Sequence, residues 1–460
     1  VNTEPAHLAL AGAATAAWLL ICFHAWWRKR ARHLATTRLA KPDPDSARPP
    51  LLVAYASQTG ASEALAIQTA TALQAAGVDV LLRSFAQLDA GTLQAAGEAL
   101  LIASTYGEGD PPDNAARFVS TTMRGASLDL SRLRYGLLAM GDRNYHNFCG
   151  FGRELDTWLR VQGAQPLFER IEVDCGDAQA LLTFRHQLSQ IAATTDLPDW
   201  QETPYETWTL SARRHLNPGS SGGPVYHLEL TPPPQSTASW QAGDLLQLLA
   251  PSDPDRARDF SIASIPEEGA AHLLVRLAYR ADGSVGLASG WLTTDAPIGA
   301  AVRARLRAHS NFQIGSNAAR DLILIGNGTG LAGLRAHLQQ RALQRTAGAP
   351  ARRHWLIYGE RHAAHDALYA TELKAWQDSG LLTRLDLVYS RDGQKDRYVQ
   401  DRLRAQQALL RAWIDEGAAV YVCGSLEGMA EGVAAALLEI LGETRLAQLQ
   451  HEGRYRRDVY

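Results

Sequence analysis

LLVAYASQTGAS, residues 51–62, decides how the chain is read. Six small or apolar residues make a buried-strand pattern, which passes directly into Ser57, Gln58, Thr59, Gly60, Ala61 and Ser62 and then into a helical period reaching Ala76. Hydroxyls and backbone N–H groups gathered at a helix N-terminus suit a phosphate monoester. The pattern GxxxxGK is absent, which argues against a nucleoside triphosphatase. Ser and Thr are also ordinary helix caps, so this loop alone settles no ligand.

Strand and helix patterns continue to alternate up to about residue 195. VDVLLRSF precedes LDAGTLQ, ALLIAST precedes DNAARFVSTTM, and YGLLAMG precedes FGRELDTWLRVQG. Such alternation implies a parallel sheet covered on both faces, with ligands bound beyond the C-terminal ends of the strands. Two further loops leave those ends. One holds Thr105, Tyr106, Gly107, Glu108, Gly109 and Asp110; the other follows Gly141 with Asp142, Arg143, Asn144, Tyr145 and Phe148. Two tyrosines placed there suit a flat ring system.

From Trp208 to about Gln313 the texture changes to short β-segments punctuated by Gly and Pro (VYHLEL, GDLLQLLAP, LLVRLAYR, AVRARLR), which predicts an antiparallel barrel. This region carries Arg258, Asp259, Phe260 and Ser261, then Gly286, Leu287, Ala288 and Ser289. An arginine and a glycine-bearing turn suit a pyrophosphate, the first by charge and the second by close backbone approach. From Arg320 onward βα alternation returns with DLILIGNGTG, HWLIYGER ending on Arg361, LTRLDLVYSRD and AVYVCGS. Gly326, Gly328, Thr329 and Gly330 follow a strand and open a helix, as a dinucleotide pyrophosphate requires.

In the order SQTG, TYGEGDPPDN, GDRNYHNF, RDFS, GLAS, GNGTG and a final aromatic, residues 51–460 resemble the diflavin reductase family: a flavodoxin-like FMN domain fused to a ferredoxin-NADP reductase-like unit. The resemblance implies that Ser57 to Ser62 hold the FMN phosphate and that Tyr106 and Tyr145 flank its ring, with Thr105, Gly107, Gly109, Gly141, Asp142, Asn144, Phe148 and Asp174 around them. It implies FAD at Arg258, Asp259, Phe260, Ser261 and Gly286 to Ser289, Phe260 keeping the stacking of the family's usual tyrosine but losing its hydroxyl. NADPH is implied at Gly328, Thr329, Gly330, Arg361, Ser390, Arg391, Lys395, Tyr398 and Gln400, although the family's lysine between Arg391 and Tyr398 is out of register, Lys395 and Arg397 flanking Asp396. Ser261, Cys423 and Asp458 would surround the hydride-transfer locus, with Tyr460 over the FAD ring until nicotinamide displaces it. One departure is structural: the family's helical connecting domain is missing, because GDLLQLLAP reaches RDFS through Ser252 to Ala257 alone.

The first residues differ in kind. Leu8 to Trp27 is apolar and free of charge, about the length of a membrane-crossing helix, with Trp18, Trp26 and Trp27 suited to the interfaces and Arg28, Lys29, Arg30 and Arg32 following. The expectation is a single-pass anchor in a bacterial inner membrane with the catalytic domains in the cytoplasm; the alternative is a hydrophobic helix docked on the body. His24 alone makes a poor haem ligand, since the second axial ligand has to come from another helix.

The expected architecture is therefore a multidomain α/β protein. It comprises a transmembrane helix and basic flank (1–34), a linker (35–50), a flavodoxin-like doubly wound parallel sheet binding FMN (51–195), a second linker (196–207), an antiparallel β-barrel binding FAD (208–316) and a Rossmann-like NADP domain (317–460). A net charge of −3 gives no sign of a nucleic-acid partner, and the four cysteines show no metal-ligand spacing, so no metal is expected. The expected activity is that of an NADPH-haemoprotein reductase-like oxidoreductase, passing electrons from NADPH through FAD and FMN to a one-electron acceptor. A membrane-bound haem protein or ferric reductase is the expected partner, and a flavoprotein component of a sulfite reductase the alternative. A non-catalytic assembly protein on a flavoprotein fold is the reading from another class.

Overall fold

The structure, a computed structural model, describes residues 49–194, 204–236, 238–280, 283–393 and 395–460. The apolar span at 8–27 lies outside the described residues. Among the described residues, no helix is long and apolar enough to cross a membrane.

The first sheet is parallel and contains β1 (Leu51–Ala56), β2 (Val80–Ser84), β3 (Glu98–Ser104), β4 (Arg134–Gly141), β5 (Gln165–Pro166) and β6 (Ile171–Asp174). Its order is β2-β1-β3-β4-β5 with β6 also on β4, the order of flavodoxin-like sheets. Strand periodicity divides β1 between two cores. Leu52, Ala54 and Ala56 pack with Phe85, Phe118 and Phe151 on one face, while Leu51 and Val53 pack with Leu73, Phe184 and Leu188 on the other. Helix α1 (Ala61–Ala75) and helix α3 (Ala178–Ile191) cover the second face; helix α2 (Gly150–Val161) covers the first.

The middle sheet is antiparallel, formed by β7 (Glu206–His215), β8 (Val225–Thr231), β9 (Leu245–Ala250), β10 (Asp253–Ser261), β11 (Ala271–Arg276) and β12 (Ala301–Arg307). Strand order is β10-β9-β12-β7-β8-β11, and a bridge between Ile262 and Leu273 joins the two ends into a barrel around Trp208, Leu246 and Leu248. Strand β7 begins at Glu206, inside the segment read as linker. Strands β9 and β10 pair directly from Ala250 and Asp253, so the chain turns where the family inserts its connecting domain.

The last sheet is parallel again: β13 (Leu322–Asn327), β14 (His354–Glu360), β15 (Arg384–Tyr389), β16 (Ala419–Gly424) and β17 (Tyr455–Val459), in the order β15-β14-β13-β16-β17. Helix α4 (Leu331–Thr346) leaves β13 through the Gly328–Gly330 turn.

Candidate functional site

Three groups of residues converge on β17. The first is the loop between β1 and α1. Gly60 takes the left-handed conformation (φ +84°) at the helix N-cap, and α1 has no side-chain cap, so its first N–H groups are left for an anion. Ser57 and Ser62 are buried, the Ser57 hydroxyl accepting from Gly60 N–H at 3.0 Å. At the end of β3, the buried Thr105 Oγ1 has no partner, an unmet polar atom of the kind a polar ligand satisfies. The loop after β4 folds on Asp142, which accepts from Asn144 N–H at 2.8 Å, and on Asp174, which accepts from Arg143 N–H at 3.0 Å. Arg143 lies over Phe148 at 4.8 Å, and Tyr145 is partly exposed.

These loops do not face open solvent on every side. The Tyr106 hydroxyl donates to Val459 O at 3.1 Å, and Gln58 Nε2 donates to Arg457 O at 3.2 Å. Arg457 forms a two-pronged ion pair with Asp113, its Nε 3.0 Å from both carboxylate oxygens. Burial works against the charge on Arg457, yet Asp113 beside it holds the guanidinium above its ordinary value. Arg256 pairs with Asp142 at 2.9 Å. Residues just past the barrel grip the phosphate-type loop: Asn311 donates to Ser57 O and Gln58 O, and His309 Nε2–H donates to Gln58 O at 3.0 Å. The first unit thus docks on the barrel and β17 without an intervening domain.

The second group lies at the barrel. Arg258 pairs with Asp253 at 3.2 Å, Asp259 pairs with Arg307, and Phe260 packs against the barrel core. The short helix Leu287–Gly290 has no side-chain cap at Gly286, and Ser289 Oγ accepts from Ala278 N–H at 3.2 Å. Ser261, Cys423 and Asp458 come together: Ser261 Oγ donates to Asp458 Oδ2 at 2.6 Å and the Cys423 thiol lies 3.6 Å from the same oxygen. β-Pairing places Cys423 directly beside Asp458. Burial, with the Asp458 carboxylate, pushes the Cys423 thiol well above its usual range, so it remains a thiol and not a nucleophile. His309 is fully buried and its Nδ1 lies 3.9 Å from Asp458 Oδ1; burial lowers its pKa and keeps it neutral.

The third group lines a cavity of about 690 Å³. Gly328 and Thr329 form its floor, and a Cβ on Gly330 would collide with Cys423 O, so the turn requires glycine there. Tyr460 borders the cavity and its hydroxyl is 3.3 Å from Thr329 Oγ1. Arg361, Ser390, Tyr398 and Gln400 line it too, whereas Arg391 and Lys395 do not; the lining cations are Arg276, Arg361 and Arg397. Arg276 pairs with the buried Glu360 at 3.0 Å, and burial raises the Glu360 pKa against the pull of that arginine. Sequence reading passed over Arg276, Glu360, Arg307, His309, Asn311, Asp113 and Arg457. The one local signal was the run Arg303, Arg305, Arg307 at strand period, which marks the outer face of a barrel strand that something acidic or polar must meet.

Residues 53–185 match the flavodoxin family, and residues 324–435 match the oxidoreductase NAD-binding domain family. The chain is 27% identical to the sulfite reductase [NADPH] flavoprotein alpha-component of Neisseria meningitidis serogroup C, covering 98% of this chain and 96% of that one. The corresponding components of Vibrio cholerae serotype O1 and Klebsiella pneumoniae are 27% and 26% identical, covering 89% and 92% of this chain and 87% and 92% of theirs. Both domain matches and these relatives support a diflavin reductase, an FMN-type flavodoxin domain fused to a ferredoxin-NADP reductase-like unit. This diflavin reductase is an NADPH-dependent oxidoreductase whose cofactors are FMN, FAD and NADPH. The uncapped α1, the unpartnered Thr105 hydroxyl and the glycine turns of the cavity fit those groups. The alignment with the Neisseria component runs over 596 residues against 460 here, so the relative carries segments that this diflavin reductase lacks. One expectation is corrected. The single-pass inner-membrane location is not supported: the relatives matched nearly end to end are sulfite reductase components, and among the described residues, which leave out the 8–27 span, no helix is long and apolar enough to cross a membrane.

Proposed function

We propose that this diflavin reductase serves as the flavoprotein component of a two-protein reductase, delivering single electrons to a haem protein of the sulfite reductase type. When bound, the nicotinamide and flavins supply the chemistry, a hydride passing from NADPH to FAD and single electrons leaving by way of FMN. The residues supply position and charge. Ser57 to Ser62 with the start of α1 hold the FMN phosphate, and Tyr106 and Tyr145 bound its ring. Arg258 and the Gly286–Ser289 turn take the FAD pyrophosphate, with Phe260 stacking on its ring. Ser261, Cys423 and Asp458 hold a hydrogen-bonded proton beside the hydride locus. Gly328 and Thr329 cradle the NADPH pyrophosphate, Arg397, Ser390 and Tyr398 take its 2′-phosphate, and Tyr460 gates the nicotinamide.

One observation carries this reading: β17 and Tyr460, the residue directly after it, meet all three groups at once. Arg457 touches the FMN-type loops, Asp458 the hydride locus and Tyr460 the nucleotide cavity. The acceptor class rests on the near end-to-end match to sulfite reductase flavoprotein components. Acid extraction of the purified protein should release FMN and FAD in equal amounts, and mixing it with NADPH, sulfite and a sulfite reductase haemoprotein should yield sulfide. FAD without FMN would refute the first assignment. Reduction of other haem proteins with no sulfide would refute the acceptor.

A further inference from the structure

The loop Ser57–Gln58–Thr59–Gly60–Ala61–Ser62 contains no cation, and the next residue, Glu63, is acidic. A phosphate monoester near neutral pH carries between one and two negative charges. In the described structure, the charge that answers it comes from the barrel. Arg307, the last residue of β12, is largely buried and divides its guanidinium between the two units: Nη1 pairs with Asp259 on β10, and Nη2 donates to Thr59 Oγ1 at 2.6 Å. Glu63 is tied up as well, its carboxylate accepting from Ser310 Oγ, three residues past Arg307, at 2.5 Å and from the hydroxyl of Tyr55 on β1 at 3.0 Å.

We propose that Arg307 completes the FMN phosphate site from the second domain, so that FMN is held jointly by the flavodoxin-like unit and the barrel docked on it. This rests on the FMN reading of the first loop. Two pieces of geometry carry it. The Thr59 hydroxyl accepts from Arg307, so its own proton is left to donate to a phosphate oxygen; the arginine supplies charge and orients a donor together. Asn311 and His309 hold the carbonyls of Ser57 and Gln58. In a trans peptide the N–H points opposite to its carbonyl, so gripping these two carbonyls from outside turns the N–H groups of Gln58 and Thr59 to the inner side of the loop. The close approach is specific to glycine, since a Cβ at Gly60 would come within 2.5 Å of Ala308 O. Segment 307–311 thereby forms the outer wall of the phosphate cradle.

The test uses the full chain stripped of flavin and titrated with FMN or with riboflavin, which has the same ring and no phosphate, following quenching of flavin fluorescence. In wild type, FMN binds more tightly than riboflavin. Arg307→Gln should weaken FMN roughly tenfold, as expected for a charge-assisted contact relayed through a hydroxyl, and leave riboflavin unchanged. Arg307→Lys should recover part of the loss. Retained riboflavin affinity also reports that the variant is folded. Equal weakening of both ligands, or no change for FMN, overturns the role of Arg307 while leaving the FMN site itself intact. Failure of wild type to bind FMN at all overturns the reading beneath it.

Discussion

Replacing Asp113 by Asn tests whether the Arg457 ion pair holds the first unit against β17. The two side chains retain 19% and 13% of their exposure, so both charges are largely withdrawn from water. Removing one partner of a fully buried pair costs about 3–5 kcal/mol. Undocking returns Arg457 to solvent and recovers part of that, so a loss of about 2–3 kcal/mol is the working figure, a fall of about 30- to 150-fold in the ratio of docked to undocked protein. Tyr106 and Gln58 retain their contacts to Val459 O and Arg457 O and keep the loss from growing. Stopped-flow mixing with NADPH should show reduction of the first flavin at its normal rate and passage to the second slowed, while small-angle scattering shows a larger radius of gyration. The double exchange Asp113→Arg with Arg457→Asp should restore much of both. Unchanged scattering and unchanged transfer in Asp113→Asn, at low and high salt alike, would refute the latch.

Arg397→Ala should raise KM for NADPH by about 10- to 100-fold and that for NADH far less, a charge-assisted phosphate contact being worth about 1.5–3 kcal/mol; Arg391→Ala, off the cavity wall, should do less, and steady-state kinetics with both nucleotides decides it. Glu360, its pKa raised by burial, gains negative charge on the cavity wall as pH rises through that elevated range. NADPH affinity should therefore fall with rising pH in wild type, and Glu360→Gln should flatten that part of the profile in binding titrations. Tyr460→Ala should improve turnover with NADH, because nicotinamide then displaces no aromatic ring; unchanged NADH kinetics with normal FAD content would remove Tyr460 from that role.

Much of the fold was legible because the deciding signals are local. Short continuous apolar runs marked β1, β3 and β4, and the glycine turn after β13 stands where a strand passes into a helix. Which cations line the proposed nucleotide cavity was less legible. Asp392 is held by His362 at 2.9 Å and by Ala363 N–H at 2.8 Å, which fixes the turn at Asp392 with Arg391 off the cavity wall, and Asp396 is fixed by Arg402 at 3.0 Å beside Arg397. Transferring the family's pattern by position cannot register those local tethers. The grip of Arg307, His309 and Asn311 on residues 57–59 was invisible for another reason: the partners lie about 250 residues apart and no periodicity links them. The expected membrane location came from composition alone, and a segment of suitable length and apolarity does not by itself establish a membrane role.

Strand β17 sets a limit on how this protein can evolve. Its side chains alternate, so Arg457 addresses one unit and Asp458 another, and its pairing to β16 fixes which is which. Insertion or deletion of one residue between Tyr455 and Val459 would exchange those faces, taking the carboxylate from the hydride locus and the guanidinium from Asp113 in one event. Such a change cannot be repaired by a second substitution nearby. Over a lineage, length should drift freely in the surface loops and stay frozen in these five residues, and the side chains along them should change only in concert with Asp113, Ser261 and Cys423.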